Sequence, residues 1–333
     1  MSLAKFMLAT IFAAASTQVI ADQLHLNDKN YFTMQGLNVT VFSDIYPDGH
    51  QTGVTIIQHG SRVAANGDLR LEISPGQWSP VPVGGEQTVD REQQRIIQTL
   101  SYPDPSKDKK GFNPINYPDL KFTYKVNVTA VSHNKIKVTV DLDKPLPPEW
   151  IGKVGFNLEL FPGELFGKAF LMDQQAGIFP RQPNGPVREI NGEFIAAPLA
   201  TGKKLVVAPD VDKQRIVIES KTGALELWDG RTNHNNGWFI VRSAIPAKAS
   251  KNAIEWIIAP NVVEGWQYTP VLQVSQLGYS TTQPKKLVIE QDALDEKADD
   301  VSLYKLTESG AQLVRKGAAE HWGNFLRYHY LTY

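Results

Sequence analysis

Residues 120–142 read LKFTYKVNVTAVSHNKIKVTVDL, and this stretch decides the fold. Apolar side chains stand at every second position of its two halves: Phe122, Tyr124, Val126 and Val128, then Ile136, Val138, Val140 and Leu142. A period of two residues is typical of a strand that buries one face. Asn134 lies between the halves and predicts a turn, so the stretch predicts a long antiparallel hairpin of a β-sandwich.

The same pattern continues on both sides of this hairpin. Further strand candidates, separated by Gly and Pro turns, are residues 37–42, 53–58, 69–73, 154–160, 204–208, 215–219, 225–228, 238–243 and 253–259. Residues 90–100 carry enough charge for a helix, but Ile96 and Ile97 suit a strand equally well, and a strand is favoured. Many short strands at near-regular spacing predict an all-β protein with one large β-sandwich over residues 22–268.

A second unit is expected over residues 269–333. It holds five strand candidates: residues 272–275, 286–290, 301–306, 312–316 and 324–331. An immunoglobulin-type sandwich normally takes about 100 residues and seven strands. The sequence therefore predicts an incomplete immunoglobulin-like sandwich, and the aromatic, β-prone run from Tyr328 to Tyr333 suggests truncation inside a strand.

Composition excludes several kinds of chemistry. The 333 residues contain no cysteine, which rules out disulfides, thiolate metal sites and cysteine nucleophiles. Lys and Arg count 34 against 35 Asp and Glu, and this balance argues against a nucleic-acid partner. The paired-histidine zinc motif and the phosphate-binding glycine loop are both absent, and the serine of His59-Gly60-Ser61 is not a nucleophile elbow. No cofactor and no metal site is expected.

The first residues predict export. Lys5 precedes an apolar run from Phe6 to Ala15, and Val19-Ile20-Ala21 fits a signal-peptidase site. We expect a signal peptide over residues 1–21. The alternative is a membrane anchor, but the run is shorter than the ~20 residues that a span needs. The expected location is therefore secreted or periplasmic, with no membrane partner.

A family resemblance covers the second unit. The sequence Val274-Ser275-Gln276-Leu277-Gly278-Tyr279, the pair Pro284-Lys285 and the strand 287–289 resemble the opening of the N-terminal immunoglobulin-like module of family 9 glycoside hydrolases, the cellulase family. Residues 156–168 are similar, more weakly, to an extra N-terminal region of some bacterial family 9 enzymes. The resemblance implies a polysaccharide partner of the β-glucan type.

The resemblance also implies a catalytic barrel of helices in the same full-length chain. In this family an aspartate activates water and a glutamate protonates the leaving oxygen. No position of the present sequence matches those residues, so no catalytic residue is assigned. The chain is expected to be a non-catalytic part of a secreted glycoside hydrolase that stabilises or positions the barrel. The alternatives are a free-standing carbohydrate-binding or adhesion protein of the envelope and an unattached hydrolytic sandwich.

Two loops offer groups that could contact a sugar. Residues 231–238 combine Arg231, His234 and Trp238, which could pair with hydroxyls while the indole packs on a sugar ring. The alternative is a polar hairpin loop in which Trp238 starts a core strand. Trp78 lies between Pro75 and Pro80 and is expected to be exposed.

Acidic residues offer weaker signals. Asp292, Asp295, Glu296, Asp299 and Asp300 have the ligand chemistry of a calcium site, but the turn glycine of an EF-hand is missing, and a solvated acidic loop is predicted. Glu149, Glu159 and Glu164 lie near aromatic residues, as glycosidase carboxylates often do, and polar surface positions explain them equally well.

Overall fold

The computed structural model describes residues 23–43, 53–72, 79–80, 82–102, 120–183, 185–232, 237–295, 300–325 and 328–333. The predicted signal peptide, Trp78 and His234 lie outside these residues. Within them the chain is built from strands, and the helical segments are the short 3-10 turns Pro148–Trp150 and Gly230–Thr232. The prediction of an all-β sandwich is confirmed.

The described strands from His25 to Pro260 follow one another at short intervals. In chain order they are β1 His25–Leu26, β2 Phe32–Met34, β3 Leu37–Val41, β4 Val54–Gln58, β5 Ser61–Leu71, β6 Val83–Asp90, β7 Arg95–Tyr102, β8 Phe122–Ser132, β9 Lys135–Leu142, β10 Val154–Leu160, β11 Ala169–Met172, β12 Gln175–Ile178, β13 Val187–Ile190, β14 Glu193–Ala196, β15 Ala200–Gly202, β16 Lys204–Val207, β17 Ile216–Ser220, β18 Leu225–Asp229, β19 Phe239–Ala244 and β20 Ile254–Pro260.

These strands form two antiparallel sheets, each of nine described strands. The first sheet has the order β1-β2-β3-β4-β5-β10-β19-β18-β15, and the second has the order β12-β11-β16-β17-β20-β9-β8-β7-β6. Strands β13 and β14 form a separate hairpin. Side chains of both large sheets belong to one continuous apolar core, so the two sheets are the layers of a sandwich.

The hairpin predicted from residues 120–142 lies inside the second sheet as β8 and β9. Its register pairs Val126 with Val140 and Val128 with Val138. All eight apolar side chains at alternate positions are buried in the core, as the period predicts. Strand β7 pairs with β8 over its whole length. The strand interpretation of residues 90–100 is therefore confirmed for residues 95–100, while residues 91–94 form the turn between β6 and β7.

Phe156 and Trp256 join the two layers at the centre of the core. Phe156 lies on β10 of the first sheet and Trp256 on β20 of the second, and their rings meet edge to face with centroids 5.0 Å apart. The indole Nε1 donates a hydrogen bond to Ser243 Oγ at 3.1 Å. Both aromatic side chains are fully buried, and the one polar atom of the pair is satisfied.

The second unit contains the six described strands β21 Val271–Gln273, β22 Val288–Asp292, β23 Val301–Thr307, β24 Gly310–Gly317, β25 Glu320–Phe325 and β26 Tyr328–Thr332. Four of them form a sheet of order β21-β22-β26-β25, while β23 and β24 form a separate hairpin. The prediction of one strand over residues 324–331 was wrong. Phe325 pairs with Tyr328, and β25 and β26 are antiparallel neighbours. The β-prone aromatic run offers no Gly or Pro that would have indicated this reversal.

We predict that the contact between the layers dominates stability. The substitution Phe156→Ala removes a buried ring and leaves a cavity beside Trp256, so the free energy of unfolding should fall by about 3–5 kcal/mol. The control Val131→Ala changes a β8 side chain that is 42% exposed, and it should cost less than about 0.5 kcal/mol. Urea denaturation followed by tryptophan fluorescence measures both, and equal losses in the two variants would contradict the assignment of the core.

Candidate functional site

Arg231 lies where the chain leaves β18, and its guanidinium is engaged by protein groups. It forms a bidentate ion pair with Asp229, in which Nε lies 2.8 Å from Oδ1 and Nη2 lies 2.7 Å from Oδ2. Nη1 donates to the carbonyl of Arg181 at 3.0 Å and Nη2 to that of Pro180 at 2.6 Å. The guanidinium also lies over the ring of Phe166. Arg231 therefore holds residues 180–181 against β18, and its contact with a sugar stays a prediction.

Trp238 immediately precedes β19 and is half-buried. Its ring meets Phe161 edge to face, with centroids 4.4 Å apart. His234 and Trp78, the other two predicted sugar contacts, lie outside the described residues. Among the predicted contacts, the structure thus places Arg231 and Trp238 near the same end of β18 and β19, each packed against a different phenylalanine.

A buried polar network crosses three neighbouring strands of the first sheet. Arg242 of β19 donates through Nη1 to Asn157 Oδ1 at 2.7 Å and pairs with Glu72 Oε2 at 3.3 Å. Asn157 of β10 in turn donates to Glu72 Oε1 at 2.9 Å. Arg242 Nη2 donates to the carbonyl of Lys153 at 2.8 Å. All three side chains are buried, so the network ties β5, β10 and β19 together from within the protein.

Asp68 of β5 extends this polar region towards the second sheet. Its Oδ1 accepts a hydrogen bond from the hydroxyl of Tyr124 at 2.8 Å and another from the backbone N–H of Leu69 at 2.7 Å. Burial raises the pKa of Asp68 to about 6, and the positive charge of Arg70 and the two hydrogen bonds oppose this rise. Burial also raises the pKa of Tyr124 well above its ordinary value, with Asp68 adding to the effect.

The raised pKa of Asp68 brings the proton exchange of this one carboxyl to about pH 6. A carboxyl with a pKa near 6 suits a general acid, provided that it can reach a substrate. Asp68 is only 3% exposed, and its carboxylate is hydrogen-bonded by the hydroxyl of Tyr124 and the backbone of Leu69. Glu159, one of the three glutamates near aromatic residues, is likewise buried and accepts from Asn66 Nδ2 at 2.6 Å. The contacts support a role for these carboxylates in holding strands together.

Sequence reasoning missed this network because alternating charges normally indicate a solvated strand face. Asp68 and Arg70 on β5 and Glu72 directly after it alternate with apolar residues, which is the pattern of an exposed surface. Asn157 and Glu159 on the paired strand β10 were the available signal, since both interrupt an otherwise apolar strand.

We predict that Asp68 makes stability fall as the pH rises. A carboxyl whose pKa is raised on folding stabilises the folded state fully below its unfolded value near 3.8, and that contribution is lost as the pH passes about 6. Asp68→Asn keeps an oxygen acceptor without the charge. The free energy of unfolding of this variant, relative to that of the wild type, should therefore rise by up to about 3 kcal/mol as the pH is raised from 4 to 8.

Urea midpoints measured across this pH range test the prediction. Tyr124→Phe provides the matched variant, since it removes a donor that favours the ionised carboxylate. In Tyr124→Phe, the free energy of unfolding should therefore fall at a higher pH than it does in the wild type. A constant difference between Asp68→Asn and the wild type over the whole range would contradict the raised pKa.

A specific set of contacts joins the sandwich to the second unit. Gln35, which follows β2, donates through Nε2 to the carbonyl of Trp266 at 2.6 Å and to Asp292 Oδ2 at 3.2 Å. The backbone N–H of Tyr268 donates to the same carboxylate oxygen at 3.0 Å. Asp292 is buried, so the prediction that it belongs to a solvated acidic loop was wrong. Its carboxylate instead receives hydrogen bonds from both sides of the junction.

His59 occupies the sandwich side of the junction. Its Nδ1 lies 2.9 Å from the carbonyl of Lys213, and its Nε2 lies 3.1 Å from the backbone nitrogen of Val263. Because a carbonyl only accepts and an amide N–H only donates, the ring is the neutral tautomer with its proton on Nδ1. Burial lowers the pKa of His59, the Lys213 charge adds to this, and the hydrogen bond to the Lys213 carbonyl opposes it. The ring also packs edge to face on Trp266.

We predict that acid loosens this junction. A histidine whose pKa is lowered on folding stabilises the folded state above its unfolded value of about 6.5, and the contribution is lost as the pH falls. Hydrogen exchange of residues 261–266, corrected for intrinsic rates, should accelerate between pH 7.5 and pH 5. His59→Asn accepts the positive φ of 48° at this position but does not titrate. Its exchange should be faster at pH 7.5 and nearly independent of pH, and an unchanged acceleration would contradict the assignment.

The hairpin of β23 and β24 carries an apolar face. The register pairs Tyr304 with Leu313 and Leu306 with Ala311, so these four side chains share one side, which we call the hairpin face. Lys305 and Gln312 pair on the other side. Tyr304, Leu306 and Leu313 are exposed, Leu306 at 83%. A two-stranded sheet gains little stability by itself, so an uncovered apolar face of this kind indicates a contact with another surface.

The motif that carries the family resemblance forms a closed loop next to β21. Gly278 has a φ of 81°, a conformation in which a side chain would be strained. The hydroxyl of Tyr279 donates to the carbonyl of Lys286 and accepts from the backbone N–H of Ser275. These hydrogen bonds hold the two ends of the loop together, and Leu277 at its tip is exposed.

Neither a metal centre nor a membrane-spanning helix is found in the part of the chain that the structure describes. Across that part, no group of three or more His, Asp or Glu side chains is arranged to hold a metal ion. Asp300 of the acidic stretch pairs with Lys316 at 3.2 Å, while Glu296 and Asp299 lie outside the described residues. No described helix is long and apolar enough to cross a bilayer.

No family model matches the chain, and no curated protein matches it.

Proposed function

We propose that this chain is the non-catalytic region of a secreted glycoside hydrolase that degrades polysaccharide, and that its second unit positions an α-helical catalytic domain. The hairpin face is the observation that carries the proposal. The loop motif of residues 274–279 supports the family, because its Gly278 and Tyr279 have the conformations that such a loop requires. The enzyme class rests on that sequence resemblance.

The second unit has little interior of its own. Among its described apolar residues, Ile289 and Leu331 are buried. Those exposed include Leu272, Val274, Leu277, Leu294, Leu303, Leu306, Leu313 and Val314. Isolated apolar side chains on a surface are ordinary, but several exposed apolar side chains on one strand face mark an interaction surface. Helices of a catalytic domain would supply the apolar side chains that cover it.

The two sides of the hairpin differ in polarity, and this difference indicates which side contacts the partner. Lys305 and Gln312 occupy the side opposite the hairpin face, and Lys316 pairs with Asp300 at the base of the hairpin. Leu303, which is exposed, shares the side of Lys305 by strand alternation, so the hairpin face is the more apolar of the two sides and the better suited to a protein partner. The junction at Asp292 connects this unit to the sandwich through partly buried hydrogen bonds. The sandwich is thereby held close to the catalytic domain in the proposed enzyme.

The second candidate function is a free-standing carbohydrate-binding protein. Its support is the exposed ring of Trp322 on β25, since an exposed indole is a common surface for stacking a sugar. This candidate requires no catalytic domain, and it leaves the hairpin face without an assigned contact.

We predict that the hairpin face is needed for hydrolysis by the natural secreted enzyme. The double substitution Leu306→Glu and Leu313→Glu, made in the gene of the natural host, places charge where helices should pack. β-Glucan hydrolysis in the culture fluid should fall at least about tenfold. The control Lys305→Glu and Gln312→Glu adds charge to the opposite side of the same hairpin and should leave activity near the wild-type level.

The purified chain should release no reducing sugar from mixed-linked β-glucan. Activity in the purified chain that is lost on replacing a single Asp or Glu would support an unattached hydrolytic sandwich instead. Hydrolysis in the culture fluid that is equally insensitive to both double variants would refute the proposed contact.

A further inference from the structure

The second unit presents a connected row of aromatic rings. The ring centroids of Tyr268 and Tyr328 are 5.0 Å apart, those of Tyr328 and Tyr330 are 6.2 Å apart, and those of Tyr330 and Trp322 are 6.0 Å apart. The row runs from the junction across β26 to β25, which is the last described strand of its sheet. We call these four side chains the aromatic row. It lies apart from the β23–β24 hairpin in the strand pairing.

A β-bulge directs the last ring of the row outward. The register between β25 and β26 passes from His321 opposite Leu331 to Gly323 opposite Tyr330, so Trp322 has no paired residue. Bulges re-aim a side chain relative to the regular strand, and the Trp322 side chain is 70% exposed. The indole is consequently available to a ligand.

Open space lies on β25 opposite Tyr330. Gly323 stands opposite Tyr330, and a Cβ built on this glycine would have no heavy atom within 4 Å. Phe325 stands opposite Tyr328 on the same side of the sheet and is also exposed. The rings of Trp322 and Phe325 thus border an unfilled position on β25, next to a tyrosine of the neighbouring strand.

A carboxylate fixes two of the three tyrosine hydroxyl groups of the row. Tyr268 donates to Glu290 Oε1 at 2.7 Å, and Tyr330 donates to Glu290 Oε2 at 2.9 Å. Each carboxylate oxygen can accept a further hydrogen bond. Rings with one hydrophobic face beside a few oriented polar groups form the surface that proteins use to bind sugars, since a pyranose has an apolar C–H face and a rim of hydroxyls.

We infer that the aromatic row is a binding surface for a neutral polysaccharide chain. The ring of Trp322 stacks on one sugar, and Glu290 with the two tyrosine hydroxyls meets hydroxyls further along the chain. Charge favours a neutral ligand, because Glu290 and the exposed Glu320 lie on this sheet and would repel an acidic polysaccharide. The choice of β-glucan as the probe rests on the proposed function. Within the second unit, the exposed aliphatic side chains that suit a protein partner belong mainly to the hairpin and the loop after β21.

Affinity electrophoresis of the purified chain tests the inference. Barley mixed-linked β-glucan in the gel should retard the wild type, while carboxymethyl cellulose, the anionic probe, should retard it much less. Trp322→Ala should weaken the affinity for barley β-glucan at least about tenfold. The matched control is Phe194→Ala, which removes an aromatic ring that is 75% exposed on the sandwich hairpin of β13 and β14 and should leave retardation unchanged.

A second variant tests whether the aromatic row binds the glucan as a whole or only through the exposed ring of Trp322. Tyr330→Phe keeps the ring and removes the hydroxyl that donates to Glu290, and it should weaken binding by a smaller factor than Trp322→Ala. The chain with Leu306→Glu and Leu313→Glu should still bind the glucan, so failure of the proposed catalytic contact is distinguishable from failure of this site. Absence of retardation in the wild type, or equal loss in Trp322→Ala and Phe194→Ala, would overturn the inference. Loss of secreted hydrolysis in Trp322→Ala without glucan binding by the wild type would indicate a protein partner and would overturn it too.

Discussion

Burial of one face of each large sheet against the other is the constraint on which the rest of the molecule depends. Phe156 and Trp256 show how the two layers meet, with an edge-to-face ring contact and a satisfied indole nitrogen. Every strand of this core must alternate apolar and polar side chains, or be apolar on both faces where both are covered. The positions of the loops, the polar network and the junction all follow from this packing.

The polar network differs from this apolar packing, because it consists of polar side chains that are buried in the same sandwich. Glu72, Asn157 and Arg242 are buried and satisfy one another, so their burial is tolerated. Asp68 is less well compensated, and its raised pKa reflects the free-energy cost of holding a charge away from water. Such groups favour one register of β5 against β10, since a shift by one residue would separate donors from acceptors.

The two units differ in where their stability comes from. The sandwich has a continuous core, whereas the second unit buries few apolar side chains of its own and is connected through Asp292, Trp266 and Tyr268 to the sandwich. Its exposed surfaces divide by chemistry. The hairpin face is mainly aliphatic, and the aromatic row combines rings with a carboxylate and hydroxyls. A protein contact and a sugar contact can therefore coexist on one small unit.

The alternation in residues 120–142 was enough to predict the all-β class and the buried faces of β8 and β9, because period and burial are both local properties of a strand. Other features depend on which strands become neighbours, and no local pattern contains that information. Asp68 and Asp292 look solvated until strands or a linker cover them, and Trp322 gains its exposure from a bulge set by pairing with β26. Only the tertiary structure decided these features, since burial and register arise from residues far apart in the chain.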